Sequence, residues 1–400
     1  MRLKVLAAVA IAAVISVSGF PQALAADGDI VLGDIDDLSG LYADIQGMGG
    51  VEAMKMAIAD SGGTVLGRNV RILTADHQNK PEIGASKFRE WADQKGLSFH
   101  IAGSNTSEAI AMAKVAAEKK VVYIVVGAVG ASLTNEDCTP YSVHYVIDTT
   151  ALANGTASAV VEKGGKTWFY LAADYTFGAQ LQNAASRVVE AKGGKNVGAV
   201  RVPLSTADFS SFLLQAQASG AQVLGLANAG HDFTNSLKAA NEFGITRTMK
   251  PAALDAYITD IHSLGLQAAQ GLFLTTGWYW DLDDDTRAFA KRYFDKMKKE
   301  PTMNQAGYYS ATLTYLKAVK AVGTTDSDRV MAELKNTKIN DMFVKGGYIR
   351  ADGVMIHPMY IMQVKSPQES RYPWDYFKVV KQMSGEEAFG PMTGLCRLKP

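Results

Sequence analysis

The side chains of this sequence best placed for chemistry are short, neutral hydrogen-bonding groups that stand where apolar runs end. Ser39 follows an apolar run at 30–35, and Ser104, Asn105 and Thr106 follow another at 98–102. Hydroxyl and amide groups of this kind, backed by backbone N–H groups at a helix start, suit a small anion such as a carboxylate. Aromatic residues stand at comparable places: Tyr42, Tyr175, Phe177 and Trp278. Each is able to cover an apolar or aromatic ligand face, and equally to pack in a core. Thr106 is just as suited to capping the helix after it. Polar tips in one half of the chain and aromatic tips in the other point to a ligand cleft.

The familiar catalytic patterns are missing. There is no His-Glu-x-x-His, no Gly-x-Ser-x-Gly and no Cys–His grouping for metal or nucleophilic work. Gly165-Lys166-Thr167 has the ending of a phosphate-binding loop, but Val160 stands where its first Gly belongs, and the tripeptide precedes a strand. Gly127-Ala128-Val129-Gly130 lacks the spacing of a dinucleotide loop and follows the fourth strand, not the first. The acids at Asp36-Asp37 close a strand, and Asp283-Asp284-Asp285 open a helix, where negative charge favours the dipole. Catalysis, cofactors and metals are therefore not expected.

The start of the chain reads as a secretory signal peptide. Arg2 and Lys4 precede an apolar core at 5–17, and Ala23-Leu24-Ala25 is a small-x-small cleavage site, placing the cut near Ala25. That core is short for a membrane span. Removing residues 1–25 takes away two of the 40 basic groups and none of the 40 acids, leaving 38 against 40, near −2. A nearly neutral exported chain without a basic stripe argues against nucleic acid as a partner. Its two cysteines, Cys138 and Cys396, read as a disulfide in an oxidising compartment, with two buried free thiols as the alternative.

The elements that must position these groups form two similar series. Strands are predicted at 30–35, 70–76, 98–102 and 121–126, the first followed by a polar turn at 36–40 and then a long helix. A second series has strands at 166–172, 196–203 and 222–227 with helices between them, and 251–255 leads into a further loop. Continuous apolar strands alternating with helices mean α/β lobes built on parallel sheets, with loop tips at one edge. Beyond residue 271 come helices at 285–299, 304–322 and 327–334, then strands at 343–350, 359–364 and 376–380. The chain of 400 residues, 48% hydrophobic, is long enough for two cores. The expected division is 26–148 plus 277–350 for one lobe and 149–276 plus 351–400 for the other.

Several short pieces, in order, carry a family resemblance. They are Asp37-Leu38-Ser39-Gly40 with Tyr42-Ala43, then Gly62-Gly63, Ala75-Asp76 and Gly103-Ser104. Ala173-Asp174-Tyr175 through Gly178, Asp208-Phe209-Ser210-Ser211 and Gln270-Gly271 follow. With these the chain, from about residue 27 to its end, resembles the periplasmic solute-binding proteins of branched-chain-amino-acid-type ABC transporters. Trp278-Tyr279-Trp280-Asp281 and Ile356-His357-Pro358-Met359-Tyr360 resemble a subgroup of that family.

The resemblance implies a type I periplasmic binding fold of two lobes joined by three hinge crossings. It implies a monomer in the periplasm that closes on a small solute and docks on ABC permease subunits in the inner membrane. By position, Ser104 and Thr106, with the backbone from Gly127 and Ala128 onward, would hold the solute's carboxylate. Tyr42, Tyr175 and Phe177 would line the side-chain pocket, and the loops carrying Asn228, His231 and Asp255 would close over it. Three departures bear on the solute. Gly-Ala-Val-Gly replaces a Thr in the fourth first-lobe loop, and Ala229-Gly230-His231 replaces a Tyr. Only Asp255, displaced by about a residue, is placed to bind an α-ammonium; Asp232 is a weaker candidate and Asp260 a helix cap. An amine-free aromatic or aliphatic carboxylate is therefore as open as leucine or valine. A soluble sensor of the same fold, acting on a receptor or regulator, is the second reading, and an exported hydrolase the third.

Overall fold

The computed structural model describes residues 28–398, so the expected signal peptide and its cleavage point lie outside the described residues. The first sheet is built from β1 (Ile30–Asp36), β2 (Thr64–Val65), β3 (Arg68–Asp76), β4 (Leu97–Ala102), β5 (Val122–Val125) and β6 (Ser142–His144). Their order is β2-β3-β1-β4-β5-β6, and every pairing but the β2–β3 hairpin is parallel. β1 is buried along its whole length because it has a strand on each side and helices on both faces. The helices are α1 (Gly47–Asp60), α2 (Pro81–Gln94) and α3 (Thr106–Lys119). Register levels the strand ends: Asp36 opposes Asp76, Ile35 opposes Ala102, and Ala102 opposes Val125. The loops after β1, β3, β4 and β5 therefore open on one edge.

One loop differs from the sequence reading. Residues 41–46 form turns, and the helix begins only at Gly47. The Asp37 carboxylate accepts from Gly40 N–H at 2.7 Å, from Tyr42 N–H at 2.9 Å and from the Asn79 side chain at 2.7 Å. Side-chain bonds to local backbone compete with the helical pattern. Here they delay the helix and leave Tyr42, Ile45 and Gln46 facing the open edge.

The first crossing, 145–148, leads to α4 (Thr149–Leu152), a π turn at Ala153–Ala157 and α5 (Ser158–Glu162). The second parallel sheet, in the order β10-β9-β7-β8, comprises β7 (Thr167–Ala173), β8 (Lys195–Val202), β9 (Val223–Ala227) and β10 (Lys250–Ala253). Around it are α6 (Thr176–Ala191), α7 (Ser210–Ala218), α8 (Gly230–Glu242), α9 (Ile258–Leu264) and α10 (Leu266–Ala269).

After β11 (Phe273–Thr276) the chain crosses back, and α11 (Asp284–Met297), α12 (Met303–Val322) and α13 (Ser327–Asn336) return to the first lobe, with α12 lying along α1. A small antiparallel sheet follows: β12 (Ile339–Asn340), β13 (Lys345–Ile349) and β14 (Met355–Ile356). The third crossing is His357-Pro358. It leads to β15 (Met359–Val364) and β16 (Phe377–Met383), which pair antiparallel with β11 in the order β11-β15-β16.

His357 sits where these crossings meet. Its Nε2 is 2.8 Å from the carbonyl oxygen of Val146, and a Cβ at Gly277 would lie 2.8 Å from its ring. Trp278 is not a cleft residue: it is buried in the core, with its Nε1–H donating to the Met342 carbonyl at 3.1 Å.

The tail corrects one expected boundary. After α14 (Gly385–Phe389), Arg350 Nη1 donates to the carbonyl of Gly390 at 2.6 Å, and Thr393 donates to Asn135. Cys138 and Cys396 are bonded, with Cα atoms 5.6 Å apart. Val354 bridges His144. So residues 351–356 and 391–398 lie against the first lobe, although the sequence placed all of 351–400 with the second. The tail is a fourth strap across the hinge.

Candidate functional site

The two rows of loop tips meet in one cavity. From the first lobe it is lined by Tyr42, Ile45, Gln46, Ser104, Thr106, Gly127 and Val129. From the second come Tyr175, Phe177, Ala229, Asp255 and Tyr257. About 10 Å³ is left between them, roughly the room one water needs. The lobes are shut on each other, and a solute enters only when they part. Contacts across the mouth hold them. The Tyr42 and Tyr175 hydroxyls are 2.8 Å apart, and His231 N–H donates to the Leu41 carbonyl at 3.2 Å. Ser107 Oγ donates to Thr176 Oγ1 at 3.2 Å, and Ser132 N–H to Gln180 Oε1 at 3.3 Å.

Beside the apolar Ile45 and Val129, the first-lobe wall offers donors without a full charge, and among the described residues no Lys or Arg lines it. Ser104 Oγ accepts from Asp37 N–H at 3.2 Å, and Thr106 Oγ1 accepts from Gly130 N–H at 3.2 Å. Both hydroxyls are thereby oriented from behind. Gln46 carries no free donor or cavity role of that kind. Its Nε2 donates to both Asp36 oxygens (3.0 and 2.9 Å), and its Oε1 accepts from Asn304 at 2.9 Å. Gly127 is needed because a Cβ there would stand 1.9 Å from Gln46 Oε1. Asp36 also accepts from Tyr308 and from Ser104 N–H, so the Asp36-Asp37 pair organises the wall without entering the cavity.

The second-lobe wall carries one acid. Asp255 is 3% exposed, and its Oδ1 has no hydrogen-bond partner among the described residues. Burial pushes its carboxyl up to about 7, with the Tyr257 hydroxyl pulling the other way. Burial likewise raises the Tyr42 and Tyr175 hydroxyls well above the usual range, so both stay protonated. Asp260 caps α9, accepting from Tyr257 N–H at 2.9 Å. Asp232 accepts from Ser205 N–H at 3.1 Å at the start of α8, away from the cavity.

Of the residues predicted from sequence, Tyr42, Ser104, Thr106, Gly127, Tyr175, Phe177 and Asp255 converge on this cavity. Five lie outside it. Ser39 donates to Asp76 at 2.5 Å on the exposed rim. Asn105 is the N-cap of α3, accepting from Ser107 N–H at 2.9 Å. Ala128 turns its carbonyl away to His144 Nε2 at 2.7 Å. Asn228 is tied within its own loop, to the Asp232 carbonyl at 3.1 Å and Ser236 Oγ at 3.0 Å. His231 is exposed at the mouth, 3.6 Å from Asp44. Ile45 and Gln46 were missed, because they lie in the stretch that reads as helix.

A cleft between two α/β lobes with neutral donors on one wall and a lone acid on the other is a solute clamp. The chain matches the periplasmic binding protein family over residues 29–370. It belongs to that family. A periplasmic binding protein from Burkholderia mallei is 60% identical, with a TM-score of 0.89, covering 90% of this chain and 96% of that one. A branched chain amino acid ABC transporter periplasmic ligand-binding protein from Burkholderia xenovorans LB400 is 39% identical, TM-score 0.80, covering 91% and 97%. A Leu/Ile/Val-binding protein homolog from Brucella melitensis is 24% identical over 310 residues, 75% of this chain and 78% of the relative. The protein is thus a non-catalytic solute-binding protein of the ABC-transporter type.

Proposed function

We propose that this protein serves an ABC importer by closing on an α-amino acid. Its carboxylate is received by the Ser104 and Thr106 hydroxyls and the Gly127 loop, and its ammonium by Asp255. The observation that carries this is the buried, unpartnered Oδ1 of Asp255 on the wall opposite the donors. A buried polar atom without a partner is costly, and a ligand ammonium supplies both the missing bond and the countercharge. Tyr42, Tyr175, Phe177 and Tyr257 surround the remaining space and suit an apolar side chain. The same four aromatics favour a second reading, a hydroxylated aromatic acid whose phenol donates to Asp255. A sensor of this fold would use the cleft in the same way, and co-purification with a receptor in place of a permease would reveal it.

Calorimetry separates the solutes. L-leucine is expected to bind and its amine-free analogue 4-methylpentanoate to bind at least tenfold more weakly. Asp255→Asn is expected to cost L-leucine about 3–5 kcal/mol, the usual penalty for breaking a buried ion pair. Equal binding of the two acids, or an Asp255→Asn variant with unchanged affinity, would overturn the amino-acid reading. Tight binding of 4-hydroxybenzoate with none of benzoate would establish the second.

A further inference from the structure

Behind the donor wall lies a buried histidine that the solute does not touch. His77 is fully buried. Its Nδ1 is 3.0 Å from Asn79 N, whose only hydrogen points at it, so Nδ1 must accept. Burial pushes the ring's pKa below its ordinary value, which keeps it neutral. A neutral ring that accepts at Nδ1 carries its proton on Nε2. Nε2 is 3.2 Å from Ser104 Oγ, 3.4 Å from Glu108 Oε2 and 3.8 Å from Asp36 Oδ1. Asp37 and Asp76 are the other charged groups near the ring, and the Glu108 carboxyl is pushed up to about 9 by burial, so it too is neutral.

The consequence falls on Ser104. Its oxygen has two lone pairs and one proton. One lone pair takes Asp37 N–H and the other takes His77 Nε2–H, so only the O–H remains for the cavity that Ser104 lines. We infer that His77 is a positioning residue that makes Ser104 a one-way donor, so that the cleft admits a carboxylate at this point and rejects a solute offering an N–H or O–H there. This rests on the reading that a carboxylate is seated against Ser104. It adds to that reading the source of selectivity: a wall with no cation distinguishes a carboxylate from its amide by having no acceptor left to offer.

Two measurements test it. In the solute-free protein, long-range proton–nitrogen correlation spectra are expected to show His77 with a bare Nδ1 and a protonated Nε2 at pH 7 to 8. A proton on Nδ1, or an imidazolium at pH 7, overturns the inference whatever the solute is. The second is the ratio of affinities for L-leucine and L-leucinamide, with 4-hydroxybenzoate and 4-hydroxybenzamide as the parallel pair. His77→Leu is expected to cut the acid-over-amide ratio at least tenfold, while His77→Gln, which places an amide N–H near Nε2, restores most of it. Equal loss of both ligands in His77→Leu, with the ratio unchanged, assigns His77 a purely structural role and refutes the inference. If neither pair binds wild-type protein, the proposed solutes are wrong, and the nitrogen spectra still decide the state of His77.

Discussion

Gly230 allows closure to be tested at a residue with no side chain to offer the solute. It opens α8 at φ +59°, and the next residue's N–H donates across the cleft to the Leu41 carbonyl at 3.2 Å. A Cβ on residue 230 would stand 2.3 Å from that oxygen and 3.2 Å from Tyr42 Cδ1. A backbone oxygen cannot swing aside, so the lobes must part there by about 1.1 Å, the difference between 2.3 Å and ordinary contact at 3.4 Å. That takes the His231–Leu41 bond out of range and weakens the Tyr42–Tyr175 contact. Two hydrogen bonds at roughly 0.5–1.5 kcal/mol each make the closed form about 1–3 kcal/mol less favourable. A solute that binds only the closed form then loses about 5- to 150-fold in affinity. Gly220 is the control: its φ is +66°, and nothing lies within 4 Å of a Cβ there. Both alanine variants lose about 1–2 kcal/mol of folding stability to the left-handed backbone, but only Gly230→Ala is expected to weaken L-leucine in calorimetry and to expand the liganded protein in small-angle scattering. Wild-type affinity in Gly230→Ala, or an equal loss in Gly220→Ala, would refute the reasoning.

Three further outcomes follow from particular groups. Ser104→Ala is expected to weaken a carboxylate solute by about 1–3 kcal/mol, the cost of one buried acceptor left unpaired; unchanged calorimetric affinity would remove Ser104 from the site. Glu108 is protonated in the folded state up to about pH 9, whereas its unfolded value is near 4.5. Its folded pKa is raised, so the stability it contributes is complete below pH 4.5 and declines as pH rises toward 9. Glu108→Gln should flatten the pH–stability curve by on the order of 3 kcal/mol between pH 4.5 and 7, and an unaltered curve would mean that the carboxyl is ionised. Cys396→Ser opens a loop closed over 258 residues and should lower unfolding stability by about 2–4 kcal/mol. An unchanged denaturant midpoint would show that the tail strap does not restrain the fold.

Most of the fold was legible because parallel strands buried on both faces must be continuous apolar runs. Those at 30–35, 98–102 and 222–227 fall within a residue or so of β1, β4 and β9. Their ends were legible too, and with them the edge that carries the cleft. Which way a polar tip turns was not. Ser39, Asn105 and Asn228 are the same kinds of residue as Ser104 and Thr106, but each is used within its own loop as a rim contact, a cap or a tie. Gln46 was hidden because the Asp37 carboxylate holds in turns the six residues that open a longer stretch, rich in Ala, Met and Gly, that reads as helix. His77 gave no signal, since its role depends on Asn79, Asp37 and Ser104 meeting from three loops. The tail was misassigned although its own cysteine pair implied the answer: a bond to Cys138 requires residue 396 to reach the first lobe.

The most direct measurement is thermal unfolding of the protein against a panel of L-amino acids, amine-free aliphatic and aromatic carboxylates, and neutral sugars. A solute at 100 times its dissociation constant adds about 2.7 kcal/mol of stability, enough to move a melting curve clearly. Stabilisation by at least one carboxylate-bearing solute, with amino acids leading and sugars silent, is the expected result. Stabilisation by a sugar, with no response to any carboxylate, would contradict the assignment of this cleft to a carboxylate-bearing solute.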